Sequence, residues 1–127
     1  MQPCLQNYLG QIKQKIQEVS IDEFKKIDCA DALVIDVREP GECAEGIIEG
    51  AIVIPRGLLE FKLLEHPKVK NLSEEEIFNK KVYLYCATGG RSACCAYALQ
   101  QIGFTNVYSI AGGIQQWIQT GEKLVKP

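Results

Sequence analysis

Cys86 closes an apolar run and opens the turn Cys86-Ala87-Thr88-Gly89-Gly90-Arg91-Ser92. A thiol placed there can serve as a nucleophile, a metal ligand, half of a disulfide or a small buried residue. The residues that follow it favour the first. Gly89 and Gly90 let the backbone curl so that several N–H groups point inward, which makes a concavity suited to an anion. Residues 91–102 then read as a helix ended by Gly103. The unpaired amides and partial positive charge of that helix start fall beside the sulfur. Both favour thiolate over thiol, so a nucleophile is expected at Cys86 without a partner histidine. Arg91 is expected to add a fixed positive charge at the rim.

The other reactive residue types narrow the chemistry. The cysteines are Cys4, Cys29, Cys43, Cys86, Cys94 and Cys95, and His66 is the single histidine. No C-x-x-C pair or Cys/His grouping occurs, so neither a metal site nor a Cys-His dyad is expected. His66 precedes Pro67 in a turn-like stretch and reads as a surface residue. The N-terminal residues show no charged start followed by an apolar stretch, so no export signal is read, and free thiols in the cytoplasm are expected. No apolar run approaches the roughly 20 residues of a membrane helix, so no membrane partner is expected. The 14 basic and 16 acidic residues leave a net charge of −2 with no basic stripe, which argues against nucleic acid. A length of 127 residues, 46% hydrophobic and 24% charged, fits one globular domain with a real core.

The elements that must hold Cys86 follow from periodicity. Leu5, Leu9, Ile12 and Ile16 recur at helical spacing over 5–17, predicting an amphipathic N-terminal extension (residues 1–17) ahead of a domain over 18–127. Val19 reads as an extended link. Ser20 and Glu23 form a capping box for a helix over 21–27. The β-branched run 32–37 predicts a buried parallel strand; residues 38–46 read as a loop or short helical turn. Further strands are predicted over 50–55, 81–86 and 106–110. A helix is predicted over 57–64, stopped by Pro67, and another starts at Ser73, followed by Glu74, Glu75 and Glu76. Gly112 and Gly113 read as a turn into a last helix carrying Trp117, a packing element. Alternating strands and helices predict an α/β fold, a mostly parallel central sheet flanked by helices on both faces. In such sheets sites lie beyond the carboxyl ends of strands, where Cys86 stands. Ala93, Ala96, Leu99 and Gly103 share one helical face, taken as the inner one. That sets Cys94 toward solvent and Cys95 toward the flank.

The stretches VSIDEF, VIDVREPGE, EGIIEGAIVIPRG and YCATGGRSACCAYALQQIGFTNVYSIAGGIQQW, taken together, resemble a single-domain rhodanese. The resemblance covers about residues 18–121. It implies a rhodanese-like three-layer fold and sulfurtransferase activity. It implies Cys86 as the nucleophile that carries a persulfide, with Ala87, Thr88, Gly89, Gly90 and Arg91 completing the loop around it. In the implied two-step scheme the thiolate takes the outer sulfur of a donor such as thiosulfate, releasing sulfite. Cyanide, a small thiol or a protein thiol then takes the sulfur from Cys86. Neither a cofactor nor a general acid is required. Phosphatases built on the same fold separate Cys and Arg by five residues. Here four intervene, and the shorter ring suits one sulfur atom better than a tetrahedral phosphate. A phosphatase or arsenate reductase, and a non-catalytic interaction module, are the rival readings.

Asp36 and Arg38 match the family's Asp-Val-Arg element. Asp36 is expected to hold loop amides, and Arg38 to make a structural ion pair with Glu45 or Glu49. Ile47 stands where the family usually has histidine. Thr88 and Ser92 can hydrogen-bond sulfur or cap the helix, and helix-start stabilisation is the role expected of Ser92. Ala87, Thr88 and Gly90 bring no charge to the loop, which weakens the expected hold on a dianionic donor and leaves a protein persulfide or small thiol as donor or acceptor. Cys4, Cys29 and Cys43 read as incidental, and Cys94 as a tolerated small residue.

Overall fold

The apolar run Lys81–Tyr85 forms β4, the central strand of a five-stranded sheet in which β1 (Gln17–Val19), β5 (Asn106–Ile110), β4, β2 (Leu33–Asp36) and β3 (Ile52–Val53) lie side by side in that order and every pairing is parallel. The computed structural model describes residues 1–127. In chain order the elements are α1 (Pro3–Lys15), β1 (Gln17–Val19), α2 (Ile21–Lys25), β2 (Leu33–Asp36), α3 (Pro40–Cys43), β3 (Ile52–Val53), a 3-10 turn (Arg56–Leu58), α4 (Leu59–Leu63), α5 (Glu74–Asn79), β4, α6 (Gly90–Ile102), β5 (Asn106–Ile110) and α7 (Gly113–Gln119).

The sheet is covered on both faces, and the period-2 alternation of its strands assigns each side chain to one of them. Leu33, Ile35, Val82, Leu84 and Val107 pack with α4, α5 and α6, a cluster that ends at Cys86. Val34, Tyr83, Tyr85 and Ile110 face α2 and α7, where Phe24 and Ile114 close the second cluster. Trp117 packs edge-on against Phe24 at 6.0 Å, as a packing residue should. The capping boxes at Ser20/Glu23 and Ser73/Glu76 form as their spacing predicts. No helix is long and apolar enough to cross a membrane.

Three elements differ from expectation. Residues 17–19 are the edge strand β1, paired with β5, and not a link. Only Val19 of the three is buried, so no alternation marks the strand in sequence. The helix predicted over 57–64 divides into a 3-10 turn and α4. The third concerns α6. Ser92, Ala93, Cys94, Cys95, Ala96 and Leu99 are all buried, because α6 lies between the sheet and α1. A helix buried on two sides loses its polar stripe, and small residues let both neighbours approach. Cys94 is therefore covered by α1, contrary to the solvent position expected of it.

α1 packs on α6, with Ile12 its one buried residue, and Ile16 packs against the main core. The sheet itself begins at Gln17. A chain starting at Ile16 should keep a single cooperative unfolding transition, with Tm lowered by roughly 10 °C for the burial lost. Thermal unfolding followed by circular dichroism checks this; loss of cooperativity would make α1 part of the domain.

Candidate active site

Continuing the alternation of β4 past Leu84 turns Cys86 toward α6, and the αL conformation of Gly89 (φ 108°) starts that helix immediately below the sulfur. Cys86 is 1% exposed, yet its sulfur is well supplied with donors. Gly89 N–H donates to Sγ at 3.1 Å and Ser92 N–H at 3.5 Å. Ser92 Oγ lies 3.6 Å from Sγ and 2.8 Å from Ser109 Oγ. With the sulfur ionised, Ser109 donates to Ser92 and Ser92 to the thiolate, so each buried hydroxyl is used. Burial pushes the thiol pKa up, but the amides of Ser92, Gly89 and Thr88 and the Ser92 hydroxyl outweigh it, and the net shift is downward. Ser92 thus serves the sulfur rather than capping a helix. Ser109 was not picked out from sequence. Its signal is a hydroxyl at an inward position of an apolar strand, registered opposite Leu84.

The carbonyl side of the loop is held from α7. Ile114 N–H donates to Cys86 O at 2.9 Å and Gln115 N–H to Ala87 O at 3.1 Å. This contact requires Gly113 (φ 57°), since a Cβ there would lie 2.5 Å from Cys86 O and 2.6 Å from Ala87 O. Gly113 therefore anchors the Cys86 loop, beyond the packing role expected of it.

Asp36 and Arg38 pair with each other. Arg38 Nη2 donates to Asp36 Oδ2 at 2.8 Å, and Arg38 Nε and N both reach Asp36 Oδ1 at 3.0 Å. Neither Glu45 nor Glu49 is the partner, and Asp36 holds no amide of the Cys86 loop. Alternation gives the reason, because Asp36 is registered opposite Tyr85 on the face away from Cys86. Burial lifts the Tyr85 phenol well above its usual range, with nearby Asp36 adding to it, so the neutral hydroxyl accepts from Ile48 N–H at 3.0 Å. Arg38 also donates to Glu42 O at 3.2 Å and Gly46 O at 2.9 Å, which fixes the chain around α3. Ile47 is buried there and bridges to Val125.

Glu42 carries that rigidity back to the site. Its carboxylate takes a two-pronged bond from Arg91 at 2.7 and 2.8 Å. The Arg91 contact, helped by the Glu39 amide, holds the Glu42 pKa down to about 2. The guanidinium of Arg91, the fixed positive charge expected at the rim, is paired with Glu42 and also acts on the Cys86 sulfur. Above the loop, Cys86, Thr88, Gly90 and Arg91 line a cavity with Arg56, Cys94 and α1. Every polar group at the sulfur is a donor, and the donor set suits an anion rather than a metal cation. Cys95 behaves differently from Cys86, since burial in the core raises its pKa to about 12. All six thiols are unpaired.

A cysteine sulfur cradled by amides at the end of a parallel strand, in a Cys-x4-Arg loop, defines a class of protein that comparison places in a family. The rhodanese-like domain model matches residues 20–120, and the chain belongs to the rhodanese-like family. A sulfurtransferase of Allochromatium vinosum is 36% identical over 101 residues, spanning 79% of this chain and 84% of that one. The solution structure of a polysulfide-sulfur transferase homodimer of Wolinella succinogenes is similar with a TM-score of 0.75 at 25% identity, covering 98% of this chain and 88% of the other. A Rhodopseudomonas palustris protein described as of unknown function, possible tyrosine phosphatase, has a TM-score of 0.78 at 28% identity, covering 95% of this chain and 93% of the other.

Two substitutions test the cradle. Ser92→Ala removes a donor to the thiolate, so the pH profile of Cys86 alkylation should move to higher pH and the rate at neutral pH should fall several-fold; an unmoved profile would deny the hydroxyl its role. Gly113→Ala should cost at least about 2 kcal/mol through left-handed strain and overlap with the loop carbonyls. Denaturant unfolding measures that cost, and a near-neutral change would refute the anchoring.

Proposed function

We infer that the protein is a rhodanese-type sulfurtransferase in which Cys86 cycles between thiolate and persulfide. The observation that carries this reading is the set of N–H and O–H donors converging on one sulfur. In the first half-reaction Cys86 Sγ attacks the outer sulfur of thiosulfate or of another persulfide-type donor. A new S–S bond forms, the donor's S–S bond breaks, and its electron pair leaves with sulfite, a weak base that needs no proton, when the donor is thiosulfate, or with the donor's thiolate when it is a persulfide. In the second half-reaction cyanide or a thiolate attacks the outer sulfur, and Cys86 departs as thiolate. The same donors serve both steps. They keep the nucleophile ionised, and they make Cys86 a better leaving group, since a thiol of lower pKa leaves faster. Free thiols and a nucleophile that must stay reduced between turnovers suit a reducing compartment such as the cytoplasm.

In this reading Ala87, Thr88, Gly89 and Gly90 form the wall of the persulfide site, and Arg91 ties that wall to α3 through Glu42. Asp36 and Arg38 are positioning residues: their buried pair fixes the Glu42 backbone, and Glu42 fixes Arg91.

Treatment with thiosulfate should add one sulfur atom to the intact protein, read by mass spectrometry, and cyanide should remove it as thiocyanate. Cys86→Ser should abolish both. A protein that gains no sulfur, or that instead hydrolyses an aryl phosphate in a Cys86-dependent way, would overturn the assignment.

A further inference from the structure

The cavity over Cys86 is larger than exchange between small inorganic ions requires. Its volume is about 300 Å³. Much of its lining lies outside the Cys86 loop. Met1 and, from α1, Leu5, Tyr8 and Leu9 contribute apolar surface, and Arg56 contributes a cation. Leu5 and Tyr8 remain 44% and 47% exposed, although they belong to a helix that packs on α6 and is anchored at its C-terminal end, where Ile12 is buried and the chain continues into β1. Apolar side chains held in place yet left in water at the mouth of a site are what a ligand with an apolar body would cover.

The charges sort in the same way. Arg38 is committed to Asp36 and Arg91 to Glu42. Arg56 is exposed and makes no ion pair within 4.0 Å. Glu60 borders an adjoining hollow with Arg56 and Tyr8, outside bridging distance and not on the Cys86 cavity. Arg56 is thus the arginine at this cavity whose charge is still available. A guanidinium presents a planar fork that a carboxylate matches with two hydrogen bonds.

We propose that this cavity takes a low-molecular-weight organic thiol, or its persulfide, with an apolar body lying against Leu5, Tyr8 and Leu9 and a carboxylate held by Arg56. α1 and Arg56 are then the specificity-determining elements. The sulfur part of the proposal rests on the sulfur-transfer reading; the preference for an apolar body joined to a carboxylate rests on the cavity alone. In the transfer step the bound thiolate attacks the outer sulfur of the Cys86 persulfide, forming a new S–S bond. The bond between Cys86 and that sulfur breaks, Cys86 keeps the electron pair, and the ligand departs as an organic persulfide.

The cavity is tested first without sulfur chemistry. Unreactive 3-phenylpropionate, its amide and acetate are compared for protecting Cys86 of the full chain from iodoacetamide, with labelling read by mass. 3-Phenylpropionate should protect at a concentration at least tenfold lower than either control. Arg56→Gln should erase its advantage over the amide, Arg56→Lys should retain most of it, and Leu5→Ala/Tyr8→Ala should erase its advantage over acetate. Equal protection by all three compounds, or preferences that survive these substitutions, would overturn the proposal. Transfer from thiosulfate to 4-mercaptophenylacetate then tests the sulfur part: its kcat/KM relative to the corresponding amide should fall about tenfold in Arg56→Gln, and an unchanged ratio would refute Arg56 as the anchor. Failure of Cys86 to gain sulfur at all would count against the sulfur-transfer reading, while the protection series still decides the cavity.

Discussion

A sulfur atom that is almost fully buried should hold its proton, because taking a charge out of water costs more than a thiol gains by ionising. At Cys86 the effect is reversed in direction, because N–H groups of Gly89, Ser92 and Thr88 and the Ser92 hydroxyl meet at the sulfur and lower its pKa. Burial then works in their favour, since each donor acts through little solvent. Cys95, nine residues further on, shows what happens without them, with a thiol pushed up to about 12 by the same burial. The contrast locates the chemistry in the backbone path between β4 and α6 rather than in any single side chain.

That path is held on several sides, and each restraint comes from a different element. α7 takes the loop carbonyls through the close approach that Gly113 allows. β5 supplies Ser109 behind Ser92. From the opposite face of the sheet, Asp36 and Arg38 act at a distance: a desolvated ion pair with its hydrogen bonds satisfied fixes the backbone at Glu42. Glu42, ionised down to a pH of about 2, clamps Arg91. The pair thus contributes across the working pH range and weakens only as pH falls below the ordinary carboxylate range toward that value.

Much of this was legible in the residues. The alternation of β-branched strands with helices, the capping boxes at Ser20 and Ser73, and the glycine pair after Cys86 each carry a local signal strong enough to place an element. What escaped depends on pairings between distant segments. β1 is too short and polar to show a period. Ser109 gains meaning only once β5 lies beside β4. The partner of Arg38 follows from which face Asp36 occupies, and a motif written as Asp-Val-Arg does not display faces. Cys94 was misplaced because a helix covered on both sides has no single inner face to find, and the covering helix is remote in sequence.

The position of α1 separates two properties that a compact catalytic loop would otherwise tie together. Every donor to the Cys86 sulfur comes from residues 88–92, and the groups that hold that loop come from α3, β5 and α7. The α1 residues at the cavity touch none of those hydrogen bonds. Changes at Leu5 or Tyr8 can therefore reshape what approaches the sulfur without changing how readily it ionises. The reverse does not hold, because substitution at Ser92 alters the sulfur whatever the cavity holds. On the reading proposed above, main-chain geometry inside the domain sets reactivity, and α1, with Ile12 its one buried side chain, sets selectivity.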